Sequence, residues 1–289
     1  MIWQFLINGL VTGLLYSLLA IGFALVYNTT HIFHIAAAGI YVFAAYMFWW
    51  LSAKLGLPII VAAALAIILT MGLSLLSEVG VYRPLRKKHS SLNAIMIASI
   101  GLMTVIVNFI AMVFGAESKN VMKSIPAPYE FGDLIFTSTQ SYQTIVAFVA
   151  ITAFLVLLNV TRFGMKVRAL SSDETLFETL GYDKQRTFSL VFLISGLFIG
   201  LASCVTAMDL SLSPNMGMTV LINAMVAMII GGNGKFWTCV VGGLVLGVLQ
   251  SLSVYWFAAS WQNAITFALL LGFLFLRPQG IAGYRQRAV

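Results

Sequence analysis

Uncharged apolar runs of about 20 residues, close to the length that crosses a hydrocarbon core as a helix, govern what this chain can fold into. They fall at about 5–27, 33–53, 57–80, 91–114, 143–160, 188–208, 218–233, 237–257 and 261–276, each bounded by charge, proline or turn residues. A soluble domain carries roughly 25% charged residues. Here the share is 9%, against 61% hydrophobic residues and a mean hydropathy of +0.98. Water offers nowhere to hide so much apolar surface. A closed β-barrel would need strands that alternate apolar and polar residues, whereas these runs are apolar on all sides. The expectation is an all-α polytopic membrane protein of about nine transmembrane helices, a single membrane-embedded domain over residues 1–289. Met1 to Leu6 has neither the basic region nor the cleavage site of a secretory signal, so the first run is expected to stay as a span.

Charge gives the spans a direction. Arg83, Arg86, Lys87 and Lys88 form one cluster, Arg162, Lys166, Arg168, Lys184 and Arg186 a second, and Arg277, Arg285 and Arg287 the tail. With Lys235, these place thirteen of the sixteen basic residues on one side, expected to be cytoplasmic. Segment 115–142, with Glu117, Glu130 and Asp133 against Lys119 and Lys123, belongs outside. Nine spans then put the N-terminus out and the C-terminus in. The turn at 27–32 lacks a basic residue, and Gly231, Gly232 and Gly234 fit a re-entrant break as well as a turn, so eight to ten membrane elements fit the same runs. The formal charge of +7 sits in short loops without interleaved aromatics, which excludes a nucleic-acid groove.

Small residues four apart, Gly9/Gly13, Gly196/Gly200 and Gly243/Gly247, put pairs of glycines on single helix faces and let backbones pack closely. Asn8-Gly9-Leu10 with Gly13-Leu14 is echoed by Ser195-Gly196-Leu197 with Gly200-Leu201 in a span of opposite direction. That is the pattern of an inverted repeat, an architecture of transporters.

The spans offer almost no ionisable chemistry. Glu78 and Asp209 lie at span ends and read as interface residues, and His31 and His34 sit at the turn after the first span, as headgroup-level groups or cavity lining. Gly231 to Lys235 is not a phosphate loop, since Phe236 stands where Ser or Thr is needed and no glycine precedes Gly234 by five residues. Cys204 and Cys239 have no metal-ligand or disulfide spacing. No catalytic residue, metal or cofactor is expected, and any energy source must lie elsewhere.

Residues 168–187, RALSSDETLFETLGYDKQRT, are too long for a turn and predict a short cytoplasmic helix. Ser171 with Glu174 makes a capping box, Asp173 and Glu174 complement the N-terminal dipole, and Gly181 ends the helix in a left-handed cap. Leu176, Phe177 and Leu180 share an apolar face, to be covered either by the protein's own spans or lipid, or by a groove on a cytoplasmic partner.

With these features in view, the chain resembles the permease family of branched-chain amino acid (Liv-type) ABC importers over nearly its whole length. The resemblance rests on GLVTGLLYSLLAIGFALVYN (Gly9 to Asn28), RPLRKKHSSLNAIMIASIGL (Arg83 to Leu102), MIIGGNGKFWTCVVGGLVLGVLQS (Met228 to Ser251) and FLRPQGIAG (Phe275 to Gly283). The loop at about 162–187 looks like the family's coupling loop, with Arg168-Ala169, Asp173 and Leu180-Gly181 at its recurring positions. It departs from the family at FHIAAAG (Phe33 to Gly39), where an Asn-Phe-Ala-His-Gly-like run is usual, and its coupling helix is more acidic. The resemblance implies a permease in a bacterial inner membrane that pairs with a second permease, sits on two ATP-binding subunits and receives solute from an extracytoplasmic binding protein. ATP would bind those partners. Residues 171–181 would transmit the motor's motion, through Arg168, Asp173, Glu174, Leu176, Phe177, Leu180 and Gly181. Tyr16, Asn28, His34 and Asn223, polar groups near the two repeat-equivalent regions, are the candidates for lining the route. The other readings are a stand-alone carrier or channel for a small polar solute such as urea or an amide, and a scaffold without transport, which would not need a capped cytoplasmic helix.

Overall fold

The computed structural model describes residues 2–121, 128–131, 134–232, 236–256, 258, 261–277 and 280–281. Lys123, Asp133, Gly234, Lys235, Arg285 and Arg287 lie outside the described residues. The helices are α1 (Ile2–Thr30), α2 (Ala37–Trp49), α3 (Ile59–Ser77), α4 (Arg83–Lys87), α5 (Leu92–Phe114), α6 (Ser138–Val160), α7 (Arg162–Ser172), α8 (Glu174–Thr179), α9 (Lys184–Ala207), α10 (Met216–Gly231), α11 (Phe236–Trp256) and α12 (Gln262–Leu276). A π-helical turn, Trp50–Lys54, extends α2, and another, Glu78–Tyr82, joins α3 to α4. Six of these helical stretches are long and apolar enough to cross a membrane, and α10 and α12 are shorter apolar helices. The chain is a helical, multi-pass membrane protein. The described β-structure is a hairpin of β1 (Pro128–Phe131) and β2 (Leu134–Thr137), with an isolated bridge between Lys119 and Leu212.

Helix starts follow local chemistry that hydropathy alone misses. α6 begins at Ser138, earlier than the apolar run at 143, because Thr137 and Gln140 form a capping box that draws a polar first turn into the helix. Ser91 caps α5 by accepting from the Ala94 amide.

The bundle has two distinct ends. At the basic end, His34 meets Tyr82, Arg83 donates to Ser189, and the amide of Ile281 donates to the carbonyl of Ile230. At the opposite, hairpin end, Lys119 and Leu212 exchange backbone hydrogen bonds of 3.0 and 2.7 Å, and Gln140 donates to Asn8. Every described Lys and Arg except Lys54 and Lys119 falls at the basic end.

Lipid tails are as apolar as leucine, so helices associate in a membrane through close packing and interhelical hydrogen bonds. Two seams of matching geometry supply both. On α1, a Cβ at Gly9 would meet Val248 Cα, Ser251 Cβ and the Gly247 carbonyl at 2.8–3.0 Å. On α9, a Cβ at Gly196 would meet Met71 Cα, Ser74 Cβ and the Thr70 carbonyl at 2.7–3.2 Å. Ser251 Oγ donates to the Phe5 carbonyl at 2.5 Å, and Ser74 Oγ to the Phe192 carbonyl at 2.6 Å, each four residues ahead of its glycine. The α1–α11 and α3–α9 seams are thus two copies of one arrangement. α1 and α9 also cross each other antiparallel, with Ser195 Oγ donating to the Gly22 carbonyl at 2.8 Å toward the basic end. They form the buried axis, while α5 turns Ile97, Val105, Phe109 and Met112 outward.

Candidate functional site

A cavity of about 410 Å³ opens among α1, α2, α6, α9 and α10, in the hairpin-end half of the bundle. It runs from Asn8 to Leu19 along α1 and is lined also by Tyr16, Tyr41, Gln140, Gln143, Thr206, Asp209, Val220 and Asn223. Its deeper polar groups are tied to one another. Asn223 accepts from Gln250 Nε2 at 3.2 Å, and Gln250 in turn donates to Thr266, so one uncharged chain links α10, α11 and α12, with Tyr16 of α1 lining the same cavity. Gln143 donates to the Val205 carbonyl at 3.1 Å. Burial of such groups is tolerable only when they are hydrogen-bonded.

The internal repeat makes the cavity's position informative. At the basic end Ser195 and Gly22 are in direct contact, and Gly22 is packed so that a Cβ would lie 3.1 Å from Phe198. At the hairpin end the equivalent positions, Asn8 and Asp209, both line open space. One half of the crossing is closed and the other open.

Of the four residues expected to line a route, Tyr16 and Asn223 meet in this cavity. Asn28 and His34 lie apart from it, at the basic end. His34 is fully buried, with Nδ1 2.8 Å from the Tyr82 hydroxyl, which itself lies 2.7 Å from Ser99 Oγ, while Ser99 accepts from the Ala36 amide at 2.9 Å. His34 is therefore a packed core group, not one at headgroup level. Asn28 Oδ1 and His34 Nε2 are both buried without a hydrogen-bond partner among the described residues. Glu78 is also fully buried, paired with Arg86 and 4.0 Å from Arg83.

The long loop at the basic end is two helices, α7 and α8. Arg168 turns back to donate to the Leu158 carbonyl at 2.6 Å, one of the acceptors left open at the end of α6. The cap of α8 is Asp173, whose extended backbone lets Oδ1 accept from the Leu176 amide at 2.9 Å. Ser171, expected as the cap, is instead in the last turn of α7. Gly181, at φ +82°, supplies the left-handed stop. Glu174 and Glu178 both pair with Lys184, at 3.0 and 2.9 Å, and tie α8 to the start of α9. The apolar face divides. Phe177 is buried with Leu170 and Phe188, whereas Leu176 and Leu180 stay 56% and 65% exposed. Phe188 in turn lies beneath the Arg86 guanidinium, 4.4 Å from the ring centroid. A continuous contact path therefore runs from α8 through Phe177, Phe188 and Arg86 to Glu78 in the π-helical turn.

Comparison with known proteins points to one family. The model of the family described as "Branched-chain amino acid transport system / permease component" matches residues 5–274. The chain belongs to that family. Among its relatives, the high-affinity branched-chain amino acid transport system permease protein BraD of Pseudomonas aeruginosa is 29% identical, over 97% of this chain and 95% of BraD. The corresponding protein LivH of Escherichia coli is 26% identical, over 97% of this chain and 95% of LivH. The structure of PsaBC from Streptococcus pneumoniae in complex with Fab shares the fold at 17% identity and a TM-score of 0.52, over 96% of this chain and 93% of that one.

Sequence reasoning did not single out the remaining polar groups of this permease's cavity. Asn8, Gln140, Gln143 and Thr206 lie near span ends, where polar residues are common in any membrane helix, and Asp209 reads there as an interface carboxylate. The repeat itself could have found Asn8 and Asp209, which it pairs with the crossing positions Ser195 and Gly22, but it sends no signal for the others.

Proposed function

We propose that this chain is the membrane-spanning permease of an ATP-driven importer of branched-chain or other amino acids in a bacterial inner membrane. In this reading nine spans, α1, α2, α3, α5, α6, α9, α10, α11 and α12, place the N-terminus outside and the basic end in the cytoplasm. The strongest support is the family match over residues 5–274, joined to an exposed apolar pair on a capped helix at the basic end. The chain pairs with a second permease and rests on two ATP-binding subunits, and an extracytoplasmic binding protein delivers solute to the cavity. Tyr16 and Asn223 line the route. Nucleotide-driven closure of the ATP-binding subunits moves α8, and Phe177, Phe188 and Arg86 carry that displacement to the α3–α4 junction. The basic end then opens between Gly22 and Ser195, where the buried polar atoms of Asn28 and His34 gain water. The hairpin end closes in exchange, as an inverted repeat favours.

The paired substitution Leu176→Asp with Leu180→Asp tests the coupling surface without touching the core, because both side chains are exposed. The ATP-binding subunits are expected to copurify with the wild-type permease and to be lost from the variant by at least tenfold, while the variant stays folded in the membrane. Retained association would sink the coupling assignment.

A further inference from the structure

Among the described residues that line the cavity, Asp209 alone carries a charge. No Lys or Arg among the described residues forms an ion pair with it. Its Oδ1 lies 3.4 Å from the Thr139 hydroxyl, which holds the carboxylate at the rim where α9 ends. Asn8 lines the same cavity, and its Oδ1 accepts from Gln140 Nε2 and Gln4 Nε2, both at 3.4 Å. That orientation directs the Asn8 amide N–H groups away from those partners. Deeper in, Asn223 already accepts from Gln250 and Gln143 already donates to the Val205 carbonyl, and Leu15, Leu19 and Val220 supply an apolar wall.

Building on the amino-acid reading above, we infer that the cavity receives its solute as a zwitterion. The Asp209 carboxylate takes the ammonium group, the Asn8 amide donates to the solute carboxylate, and the aliphatic side chain lies along Leu15, Leu19 and Val220. Asp209 is exposed, and a carboxylate without an ion-pair partner among the described residues, set at the mouth of a largely apolar cavity, attracts a cation over a neutral group. A volume of about 410 Å³ accommodates a leucine-sized molecule with water. A neutral sugar or urea gains nothing from the charge. Asp209 is thus the specificity-determining contact, acting before the solute reaches the uncharged floor at Tyr16 and Asn223.

The test uses the assembled transporter in lipid nanodiscs without nucleotide, with equilibrium binding of L-leucine and of 4-methylpentanoate, which is leucine without its ammonium group. Asp209→Asn is expected to weaken L-leucine binding at least tenfold, equivalent to about 1.4 kcal/mol. It should not weaken binding of the anionic 4-methylpentanoate, which is relieved of a like-charge repulsion, and Asp209→Glu should stay within threefold of wild type. A change in L-leucine binding below threefold in Asp209→Asn, with wild-type leucine uptake intact, overturns the assignment alone. Equal weakening of both ligands also overturns it, because it marks a deformed cavity and not a lost charge contact. A wild-type transporter that carries a neutral sugar or urea but no amino acid overturns the amino-acid reading and this inference with it.

Discussion

Gly247→Leu is expected to separate α1 from α11 and remove the folded protein from detergent extracts. A side chain at Gly247 would fall directly on the backbone of Gly13, and backbone cannot rotate away as a side chain can. Inserting bulk into a packed core typically costs about 1–3 kcal/mol. Here the parted helices also lose the bonds from Ser17 Oγ to the Val240 carbonyl at 3.0 Å and from Ser251 Oγ to the Phe5 carbonyl. The summed effect rivals the whole stability of a marginal fold. Gly101→Leu is the control, since a Cβ there meets nothing within 4 Å, and it should stay within about 0.5 kcal/mol of wild type. The repeat adds a stricter expectation. Gly9→Leu and Gly196→Leu face the same set of atoms on different helices and should lower the thermal midpoint by similar amounts. Size-exclusion profiles after heating would measure all four variants, and a tolerated Gly247→Leu would refute the seam.

The second large effect is expected at Arg86. Glu78 is fully buried, and Arg86 is both its hydrogen-bonded charge partner and the cation over Phe188. Removing one member of a buried pair typically costs about 3–5 kcal/mol, and here it would leave Glu78 with only the longer 4.0 Å contact to Arg83. Arg86→Ala should therefore destabilise the permease by that order. The double variant Glu78→Gln with Arg86→Met should recover more than half of the loss, because replacing both members of a buried pair by neutral groups is often nearly neutral. If the path from α8 through Phe188 carries the motor's displacement, this stable double variant should still bind the ATP-binding subunits but stimulate less transport per ATP. Thermal midpoints and coupled uptake measure the two halves separately. An Arg86→Ala variant as stable as wild type would remove the pair from the account.

How much of this was legible in the amino acids depends on which physical signal each feature sends. The long runs announce themselves because a span must be apolar over its whole length, and the interval between the α1 and α9 glycine pairs is readable for the same reason. Their partners are not. Gly9 and Gly13 meet other glycines on α11, but Gly196 and Gly200 meet Ser74 and Thr70, so the second seam has no glycine pair to betray it. The α8 cap was misplaced by two residues because Ser171 and Asp173 both fit the capping pattern, and only the extended backbone at Asp173 decides between them. Polarity within a span pointed to Tyr16 and Asn223, which share the cavity, and equally to Asn28 and His34, which lie at the other end. Polarity says that a buried group needs a partner or water, not which end of the bundle supplies it. Phe177 looked like part of a docking face because helical period places it beside Leu176 and Leu180; its burial against Leu170 and Phe188 is a tertiary fact.

In the proposed transporter this chain conducts while its partners supply the work. The most direct measurement is L-leucine uptake into proteoliposomes, comparing this permease alone with the same permease assembled with its second permease, ATP-binding subunits and loaded binding protein. Uptake is expected only from the full assembly with ATP on the side of the basic end, and background flux from the single chain. Nucleotide-independent L-leucine flux through the single chain would contradict it and identify a stand-alone carrier.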